Sequence, residues 1–447
     1  MTTAELERSD TQSNGGEGLP QGSLGESLRF VATGLLPSLA RGLFSPRPRA
    51  MRWLTRLDTD SRAIAVLAAI RAKHGGQGVR LLRGKMAVLW GEPAIREVLD
   101  QSADVYASDA GAKQKGMAHF QPDALTLSRG DEWKDRRQFN ESVLATSEKV
   151  HPHGARFLDV VGDEVGRMRI DGGLRWQQWE QLFDHITLRV IFGDSARADQ
   201  ELTGLLEKLM SEANRIGGLK TGDDYYEFYG RLEKKLANPD PYSLIARISE
   251  APHTDTTRVV QQIPHWIFAM RDTLGANAYR ALAAIVADPE VERRVREEIE
   301  TADLGDAQSV GGMSYLGGVL HEAMRLWPTT PLLARETTRD TTLAGQKLPE
   351  GTQVMLLNIF NHRDPDTPGS DELRPERWQS GERNYRFNHL SNGTQDCPGG
   401  PMVMLLGQAV LARVLAAHRL RLESSPIEAG KPLPRMLDFF QLSFKAA

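Results

Sequence analysis

The sequence predicts a mainly α-helical protein with a minor β part, folded as one large domain. Apolar residues recur at helical spacing through most of the chain after Ser61, and the segments with β-like alternation are short. No internal repeat and no linker divides the 447 residues, although the length alone would allow about three domains. With 40% hydrophobic and 26% charged residues, the composition is typical of a globular protein.

After residue 61 the chain reads as a series of helices interrupted by short strands. Acidic residues in the first turn favour a helix at 131–143, while Pro289 opens the helix at 289–301 and Pro328 stops the one at 315–326. Helices are predicted at residues 61–73, 131–143, 155–168, 177–192, 198–216, 256–286, 289–301, 315–326 and 401–418. Short strands are predicted at 78–90 as a hairpin, at 343–348, at 353–357 and after the last helix, and residues 363–390 are predicted to be irregular.

The N-terminal region differs from the rest of the chain. Residues 1–25 are polar and rich in glycine, which predicts a disordered tail, and we expect residues 26–60 to pack on the body of the protein. The apolar stretch 30–44 is interrupted by Pro37 and Arg41, so we expect neither a membrane-spanning helix nor a signal peptide. A peripheral membrane contact stays open as an alternative, through Phe30, Leu35, Leu36 and Leu43.

Charge and cysteine content restrict the partners and the compartment. The net charge is −4 and the isoelectric point is about 6.3, with basic residues interspersed among acidic ones. This pattern argues against nucleic acid as a partner. A single cysteine permits no internal disulfide, so we expect a cytoplasmic protein.

That one cysteine, Cys397, lies in a loop just before an apolar helix. The loop, residues 391–400, reads Ser-Asn-Gly-Thr-Gln-Asp-Cys-Pro-Gly-Gly. A helix N-terminus lowers the pKa of a nearby thiol, and glycines let the backbone approach a large flat ligand. Cys397 is therefore a candidate thiolate ligand, with an inert buried thiol as the alternative.

Upstream of the cysteine, two segments supply an acid and arginines. Glu322 and Arg325 are one turn apart on a predicted helix, which by itself describes an ordinary surface pair. The segment Arg-Pro-Glu-Arg-Trp at 374–378 offers Arg377 as a second arginine for the same carboxylate.

The three motifs follow one another along the chain as Glu-x-x-Arg, Pro-Glu-Arg-Trp and Gly-x-x-x-Cys-x-Gly. In this order they resemble the cytochrome P450 superfamily of haem-thiolate enzymes, in its soluble bacterial type. The resemblance implies a single cytochrome P450-like domain over residues 61–447, with haem between the long distal helix and the cysteine-loop helix. It implies haem b as the cofactor, with Cys397 as the axial ligand flanked by Gly393 and Gly399. It also implies that a structural lock of Glu322, Arg325 and Arg377 holds the segment that presents the cysteine.

Further positions agree with the same family. Trp133 and Arg137 match its Trp-x-x-x-Arg, whose side chains bind one haem propionate, and Arg335 resembles the arginine that binds the other. Independently of the family, a buried dianionic porphyrin edge needs such donors to offset its desolvation.

The long helix contains the predicted catalytic pair. Residues 269–273, Ala-Met-Arg-Asp-Thr, resemble the family's Ala/Gly-Gly-x-Asp/Glu-Thr, in which Asp272 and Thr273 would deliver protons during oxygen activation. Ala269 and Thr273 fall on one helix face, so both can contact the haem. An acid and an alcohol inside an apolar helix cost free energy unless they serve a function.

Four positions depart from the family pattern. Leu390 replaces a phenylalanine and Gln395 a basic residue of the cysteine loop, while Met270 replaces a glycine. Arg271 adds a charge beside Asp272; we expect it to point away from the haem and pair elsewhere on the helix. The alternatives are that Arg271 neutralises Asp272 or binds a substrate carboxylate.

The resulting prediction is a haem-thiolate monooxygenase that oxidises a small apolar organic substrate with O2. Electrons would come from a ferredoxin and a ferredoxin reductase, docking near Lys134, Arg136 and the loop before Cys397. A peroxide-driven haem-thiolate enzyme and a non-catalytic haem sensor stay open as alternatives. Substrate contact is predicted for residues 106–127 and 216–228, for Ala269, Met270, Thr273, Leu332 and Leu333, and for the aromatic residues Phe120, Tyr225, Tyr226 and Phe228.

Overall fold

The computed structural model describes residues 18–109, 111–214, 221–381, 383–428 and 431–447. In these residues helices dominate, as predicted. The helices are α1 Leu24–Phe30, α2 Leu36–Ala40, α3 Pro48–Arg56, α4 Thr59–His74, α5 Glu92–Asp100, α6 Gly111–Met117, α7 Gly130–Val143, α8 Gly154–Arg167, α9 Trp176–Phe192, α10 Gln200–Ala213, α11 Asp223–Leu236, α12 Ile263–Phe268, α13 Gly275–Ala287, α14 Pro289–Thr301, α15 Ala307–Gly311, α16 Ser314–Leu326, α17 Asn358–Asn361 and α18 Gly400–Ala417.

The strands form three small sheets. They are β1 Gly78–Leu81, β2 Met86–Leu89, β3 Tyr106–Ala107, β4 Leu174–Arg175, β5 Leu332–Thr337, β6 Thr341–Leu343, β7 Gln346–Leu348, β8 Gln353–Leu357, β9 Leu420–Ser424 and β10 Ser443–Ala446. The largest sheet has the order β1-β2-β8-β5-β3, with β2 and β8 parallel and the other pairs antiparallel. Because β3 pairs with β5, the chain that enters α6 starts beside Arg335 on β5.

The core of the molecule lies among α8, α9, α13, α16 and α18, whose apolar side chains form one continuous cluster. Among the described residues, one helix, Gly400–Ala417, is long and apolar enough to cross a bilayer, and 61% of that stretch is buried inside the protein. A helix that is apolar on all sides and buried in this way is typical of a protein core. This core helix begins directly after the cysteine loop, so the loop rests on the most buried part of the fold.

Local sequence accounts for the helix ends next to the site. The Asp288 carboxylate accepts hydrogen bonds from the N–H groups of Glu290 and Val291 and caps α14, with Pro289 in its first turn. On α16, a Cβ added at Gly318 would lie 2.4 Å from the Pro375 carbonyl oxygen. Only glycine therefore lets the irregular 363–390 region pack directly on α16.

The predicted fold class is confirmed, and most helix ends agree to within one or two residues. The helix predicted at 256–286 begins only at Ile263, because the preceding residues form short 3-10 turns and Arg258 has a φ of 51°. The predicted helix 198–216 ends at Ala213 in the structure, and residues 215–220 lie outside the described residues. Several elements were not predicted, among them β5, α5 and α11. The strand predicted at 343–348 is a hairpin of β6 and β7, because Ala344 and Gly345 have positive φ and turn the chain.

The prediction of a disordered tail over residues 1–25 is wrong for its last part. Leu19 is buried, Gln21 forms a bridge with Arg80, and α1 begins at Leu24 behind a capping box of Ser23 and Glu26. The buried contacts of this segment offset the entropy of ordering it. Residues 1–17 lie outside the described residues.

Candidate functional site

The acid and arginines predicted to form a structural lock are brought together in the structure. Arg325 donates from Nε and Nη2 to the two carboxylate oxygens of Glu322, each at 2.7 Å, and both side chains have no solvent-accessible surface. Arg377 Nε lies 3.5 Å from Glu322 Oε1 without forming a hydrogen bond there, and Arg377 Nη2 donates to the Gly369 carbonyl. The second arginine therefore contributes charge to the network more than hydrogen bonding.

The lock also fastens the irregular region that leads to the cysteine. The remaining Arg325 donors bind three backbone carbonyls of that region, those of His362, Ser370 and Glu372. The Glu322 carboxylate accepts two more hydrogen bonds, from Trp378 Nε1 at 2.9 Å and from the Arg374 N–H at 2.8 Å. A buried ion pair is stable when its remaining donors and acceptors are satisfied in this way.

The cysteine loop lies against the C-terminal end of α5. Gly393 has a φ of 70°, and a Cβ added there would lie 2.3 Å from the Leu99 carbonyl oxygen, so this position requires glycine for packing. Thr394 Oγ1 donates to the Ser102 carbonyl at 2.9 Å, and the Cys397 N–H donates to the Leu390 carbonyl at 2.9 Å. These hydrogen bonds fix the loop at Thr394, three residues before the cysteine, and at Cys397 itself.

The thiol environment differs from the expectation. Burial raises the pKa of the Cys397 thiol, and the neighbouring Asp396 charge raises it further; the Gly399 N–H and the Arg137 charge oppose this shift. The helix N-terminus alone does not decide the pKa, because desolvation is the larger effect. Taken as a whole residue, Cys397 is only partly buried.

Arg335 is linked to the same loop through α5. Its Nε donates to Ser102 Oγ at 2.9 Å, while the Ser102 carbonyl accepts the hydrogen bond from Thr394. Arg335 is buried, and burial lowers its pKa to about 10. In the described residues no carboxylate forms an ion pair with it, so the guanidinium is a buried cation without a countercharge.

Arg137 on α7 reaches the cysteine loop directly. Its Nη1 donates to the Asp396 carbonyl and its Nη2 to Asp396 Oδ1, both at 2.6 Å, and its Nε binds Glu141. Trp133 lies one turn before it, half-buried. The same helix contacts the distal helix through Asn140, which accepts a hydrogen bond from Trp266 Nε1 at 2.8 Å. α7 therefore connects the loop of Cys397 to the helix of the predicted catalytic pair.

The distal helix is continuous from Ile263 to Ala287, but residues Ala269–Leu274 form a π-helical turn. π-turns inside α-helices are frequent at functional sites. Most residues of this helix are buried. Those that keep accessible surface are spaced three or four positions apart or adjacent, so they lie along one side of the helix. We call this side the stripe; it consists of His265, Phe268, Ala269, Asp272 and Thr273. The π-turn packs against α18, the helix that follows Cys397.

Arg271 points away from this stripe, as expected, but its partners are different. It lies 3.1 Å from Asp184 on α9 and 3.0 Å from Glu207 on α10, and it also contacts Asp272 at 3.3 Å. Glu180 is a fourth carboxylate at 4.0 Å. The expected pairing elsewhere on the same helix is therefore wrong: three of the four partners are on α9 and α10, and the fourth is the adjacent Asp272.

Four carboxylates surround this one arginine, and three of them have raised pKa values. Burial raises the pKa of Asp272 to about 7; Arg271 opposes this shift, while Glu180, Glu207 and Asp184 add to it. Burial also raises the pKa values of Glu180 and Asp184. Asp272 can therefore hold or release a proton near neutral pH.

Lys113 on α6 is a site residue that sequence reasoning missed. Its Nζ donates to the Thr126 carbonyl at 3.2 Å, and its nearest acid, Asp109, is held by Arg129 Nε at 2.8 Å. Burial and the charge of Arg335 lower the pKa of Lys113 to about 7. The only sequence signal was its position inside the predicted substrate region, since one lysine in a polar helix resembles a solvated surface residue.

Several predicted contact residues do not line the stripe. Met270 is 2% exposed and packs in the core, because one residue of helix turns it about 100° from Ala269. Phe120 and Phe228 are fully buried, with Phe120 packed edge-on behind Phe268, whereas Tyr226 is 67% exposed. Leu332 and Leu333 are partly buried and lie at the start of β5, and Tyr225 is half-buried; residues 216–220 lie outside the described residues.

One predicted docking residue is also wrong. Arg136 is buried and binds Ser128, Asp123 and the Thr256 carbonyl, so it cannot steer a partner. Lys134 is exposed, as the prediction required.

The described residues fit a haem. A thiol in a partly buried residue lies in a loop that is fixed by hydrogen bonds. The π-turn of the mostly apolar distal helix, which carries the partly accessible stripe, packs against the helix after that thiol. Arg335 and Lys113 supply cations without a bound carboxylate of their own, as the propionates of a dianionic porphyrin require. A cysteine thiol with unpaired cations nearby is the set of groups that a haem-thiolate protein needs. The fold and the site together therefore place the chain in this class.

Comparison with known proteins agrees with this class. The family model "Cytochrome P450" matches residues 175–437, more than half of the chain. The chain belongs to the cytochrome P450 family, which confirms the predicted resemblance and, with it, haem b with a cysteine thiolate ligand as the cofactor.

Individual relatives are distant. Cytochrome P450 81F2 from Arabidopsis thaliana is 23% identical over 74% of this chain and 76% of its own length. Psoralen synthase from Pastinaca sativa is 27% identical over 66% of each chain, and cyclooctat-9-en-7-ol 5-monooxygenase from Streptomyces melanosporofaciens is 25% identical over 52% and 54%. The chain spans about half the length of several relatives, for example 48% of a probable cytochrome P450 from Drosophila melanogaster.

Proposed function

We propose that this protein is a haem-thiolate monooxygenase that inserts one oxygen atom from O2 into a small apolar organic substrate. The observation that carries the proposal is the π-turn of the distal helix, where Asp272 and Thr273 keep accessible surface and the pKa of Asp272 is about 7. A sensor needs no titratable acid beside an alcohol at this point, whereas oxygen activation needs protons.

The cofactor would be held by residues already placed in the structure. Haem bound through Cys397 supplies oxygen activation, which a thiolate ligand favours by donating electron density. Arg335, Lys113 and Trp133 would bind its propionates, while Arg137 would have to exchange Glu141 or Asp396 for a propionate to do the same. The cysteine loop would keep the thiol in position. Ala269 and Phe268, with Leu332 and Leu333, would offer an apolar surface to the substrate.

The carboxylate cluster would supply protons to this site. Glu207 is more than half exposed and reaches Arg271, which in turn contacts Asp272. Glu180 and Asp184 hold protons more tightly than free carboxyls because burial raises their pKa values. A proton taken up from solvent at Glu207 would thus pass through the carboxylates that surround Arg271 and reach Asp272. Asp272 would then pass it to Thr273.

Electrons would come from a ferredoxin and its reductase in the cytoplasm, where a lone cysteine stays reduced. Lys134 and Arg383 are exposed, and Arg383 lies 3.2 Å from Asp396 in the cysteine loop. Both could attract an acidic partner to this side. Electron transfer that does not change with salt concentration would argue against this docking surface.

The two alternatives have less support. A peroxide-driven enzyme in which Arg271 holds a substrate carboxylate has less support, because carboxylates of the protein itself surround Arg271. The sensor reading has no observation in its favour. Product formation from hydrogen peroxide alone, at the rate of the reductase-driven reaction, would restore the first alternative.

Two substitutions test the proposal. Cys397→Ser should abolish the strongly red-shifted Soret band of the reduced CO complex, and retention of that band would exclude Cys397 as the ligand. Thr273→Ala should keep haem and divert electrons to hydrogen peroxide, with Thr301→Ala at the exposed end of α14 as the control alcohol. The substrate itself can be sought by screening organic compounds for a spin-state shift of the Soret band.

A further inference from the structure

One polar residue of the stripe, His265, has no part in the proposed proton delivery. It lies on the same side of the distal helix as Ala269 and Thr273, four and eight residues before them. These spacings correspond to about 6 and 12 Å along the helix axis. The His265 ring packs edge-on against Phe268, with the ring centroids 4.6 Å apart. An imidazole beside apolar side chains needs partners for its polar atoms.

His265 faces an enclosed space and not the bulk solvent. The residue keeps accessible surface, yet burial, together with the charge of Lys113, lowers its pKa to about 4. Asp272 on the same stripe combines accessible surface with a pKa that burial raises. A group that is both accessible and desolvated borders an interior space. His265 and Asp272 therefore both face the interior side along which the stripe runs.

One ring nitrogen of His265 already has a partner. Gln121 Nε2 lies 3.5 Å from His265 Nδ1, which is a long hydrogen bond. Gln121 is fully buried, and its N–H donates to the Met117 carbonyl at 2.8 Å. The carbonyl of the preceding residue, Phe120, accepts a hydrogen bond from Tyr229 Oη at 2.7 Å. The main chain that carries this amide is therefore fixed.

The other ring nitrogen is available to a ligand. Among the described residues, none forms a hydrogen bond with His265 Nε2. Because its pKa is about 4, His265 is uncharged near neutral pH. In the amide orientation of the structure Nδ1 accepts from Gln121, so the ring proton is on Nε2. The stripe thus presents one uncharged N–H donor to the interior.

We propose that His265 determines substrate specificity by donating a hydrogen bond from Nε2 to a neutral oxygen of the substrate, with Gln121 positioning the ring. The substrate class is then an elongated, mostly apolar molecule with one hydroxyl or carbonyl group. That group lies about 6 to 12 Å from the carbon that is oxidised, since this carbon is expected near Ala269 and Thr273. This distance rests on the proposed monooxygenase function.

Other ligand groups fit the donor less well. A wholly apolar molecule would displace water from Nε2 and leave its N–H without a partner, which costs affinity. A carboxylate needs a cation, and His265 is uncharged. Lys113 is expected at the haem propionates, and with a pKa of about 7 it is only partly charged at neutral pH.

The test measures equilibrium binding to the ferric haem-loaded protein, without reductant or turnover. The probes are pairs of matched length that differ in one group: hexanol with heptane, nonanol with decane, and dodecanol with tridecane. The spin-state shift of the Soret band, or calorimetry where no shift occurs, gives the ratio of the two dissociation constants in each pair. Comparing this ratio between variants cancels the difference in solubility within a pair.

His265→Phe should lower the preference for the alcohol by about tenfold, because a ring remains and only the donor is lost. His265→Gln keeps a side-chain N–H and should restore part of the preference. Gln121→Leu should lower it by about threefold, since the ring loses its partner at Nδ1. A merely structural role of Gln121 would weaken both members of a pair equally.

Phe268→Leu is the matched control on the same stripe. It changes an apolar contact and no polar group, so it should alter the affinity for both members of a pair alike. The reduced CO spectrum and the thermal midpoint verify that each variant is folded.

Several results would overturn the proposal. They are an unchanged preference in His265→Phe, or the absence of binding by every pair. Decanoate that binds more tightly than nonanol, and loses affinity above about pH 7 and in Lys113→Met, would assign this end of the site to Lys113 and a carboxylate instead. Absence of product with O2 and a reductase, with the binding preference intact, would refute the proposed function and leave the role of His265 in binding standing.

Discussion

Two arginine–carboxylate clusters in this protein use the same chemistry to opposite effect. At Glu322, one carboxylate receives hydrogen bonds from Arg325, Trp378 and the backbone, and the Arg325 guanidinium is saturated by carbonyls. At Arg271, one guanidinium faces four carboxylates, and its Nε and Asp184 Oδ1 lie 3.1 Å apart with neither forming a hydrogen bond.

The difference between them lies in how well charge and geometry balance. In the first cluster the Glu322–Arg325 pair has no accessible surface and its two charges balance, so it has a single favourable arrangement and stabilises the fold. In the second, burial raises the pKa values of Glu180, Asp184 and Asp272, and the crowding of four carboxylates around one arginine adds to these shifts. A balanced cluster serves structure, whereas an unbalanced one can exchange protons.

The largest effect is expected from breaking the balanced cluster. Arg325→Ala removes the paired guanidinium from the buried Glu322 carboxylate and leaves only Arg377, at 3.5 Å, as a countercharge, which should cost about 3 to 5 kcal/mol of unfolding free energy. Circular dichroism during denaturation measures the loss, and the CO spectrum shows whether haem is still bound. The control is Glu290→Ala, which breaks a pair of the same spacing with Arg293 on the surface of α14 and should leave the thermal midpoint unchanged. Equal effects of the two substitutions would contradict the assigned role of burial.

The next largest effect should follow from removing the acid of the unbalanced cluster. Asp272→Asn cannot release a proton, so coupled turnover should fall by about a hundredfold while haem binding persists. Product formed for each NADPH consumed measures the coupling. Turnover that stays coupled in the Asn variant would show that protons reach the site by another route.

The same substitution should change the dependence of stability on pH. The pKa of Asp272 is raised from 3.8 to about 7 in the folded protein. Its stabilising contribution is thus complete below the unfolded value and is lost as the pH rises through about 7. The thermal midpoint of the unchanged protein should therefore fall between about pH 4 and 7 relative to that of Asp272→Asn. Parallel curves would contradict this shift.

A smaller effect is expected from removing the shared cation. Arg271→Gln leaves four carboxylates to repel one another, so stability should decrease by about 2 kcal/mol at about pH 8 and much less at about pH 5. Because Arg271 lowers the pKa of Asp272, the variant should also stay active to higher pH. A pH profile of coupled turnover checks this, and a profile displaced to lower pH would be the contrary result.

The smallest effect is expected at the edge of the site, outside both clusters. Lys113→Met removes one of several cations available to the propionates, so haem transfer to apomyoglobin should accelerate by about tenfold or less. Lys115→Met, two residues along the same helix and exposed, is the control. Equal rates in the two variants would show that Lys113 does not bind the cofactor.

Much of the candidate site could be predicted from the sequence. Glu322 and Arg325 are one helical turn apart, and the order of the segments that contain Arg377 and Cys397 is a property of the chain itself. The fold class followed for the same reason, since helical periodicity is local. The errors occurred where contacts between distant segments decide: Arg136 resembles a surface arginine, yet Ser128 and the Thr256 carbonyl bury it.

The sequence by itself determined the helical fold, the position of Cys397 and the acid and arginines that hold its loop, because spacing along the chain fixes which side chains share a turn. Only the tertiary structure decided which acidic groups have shifted pKa values and which apolar side chains are exposed. Burial raises the pKa of Asp272, and Glu180, Asp184 and Glu207, which α9 and α10 place around Arg271, add to the shift. Trp53 and its neighbouring leucines are exposed because packing covers only the opposite side of their helices. Desolvation and exposure depend on every residue that is near in space, and the order of residues along the chain does not show which residues these are.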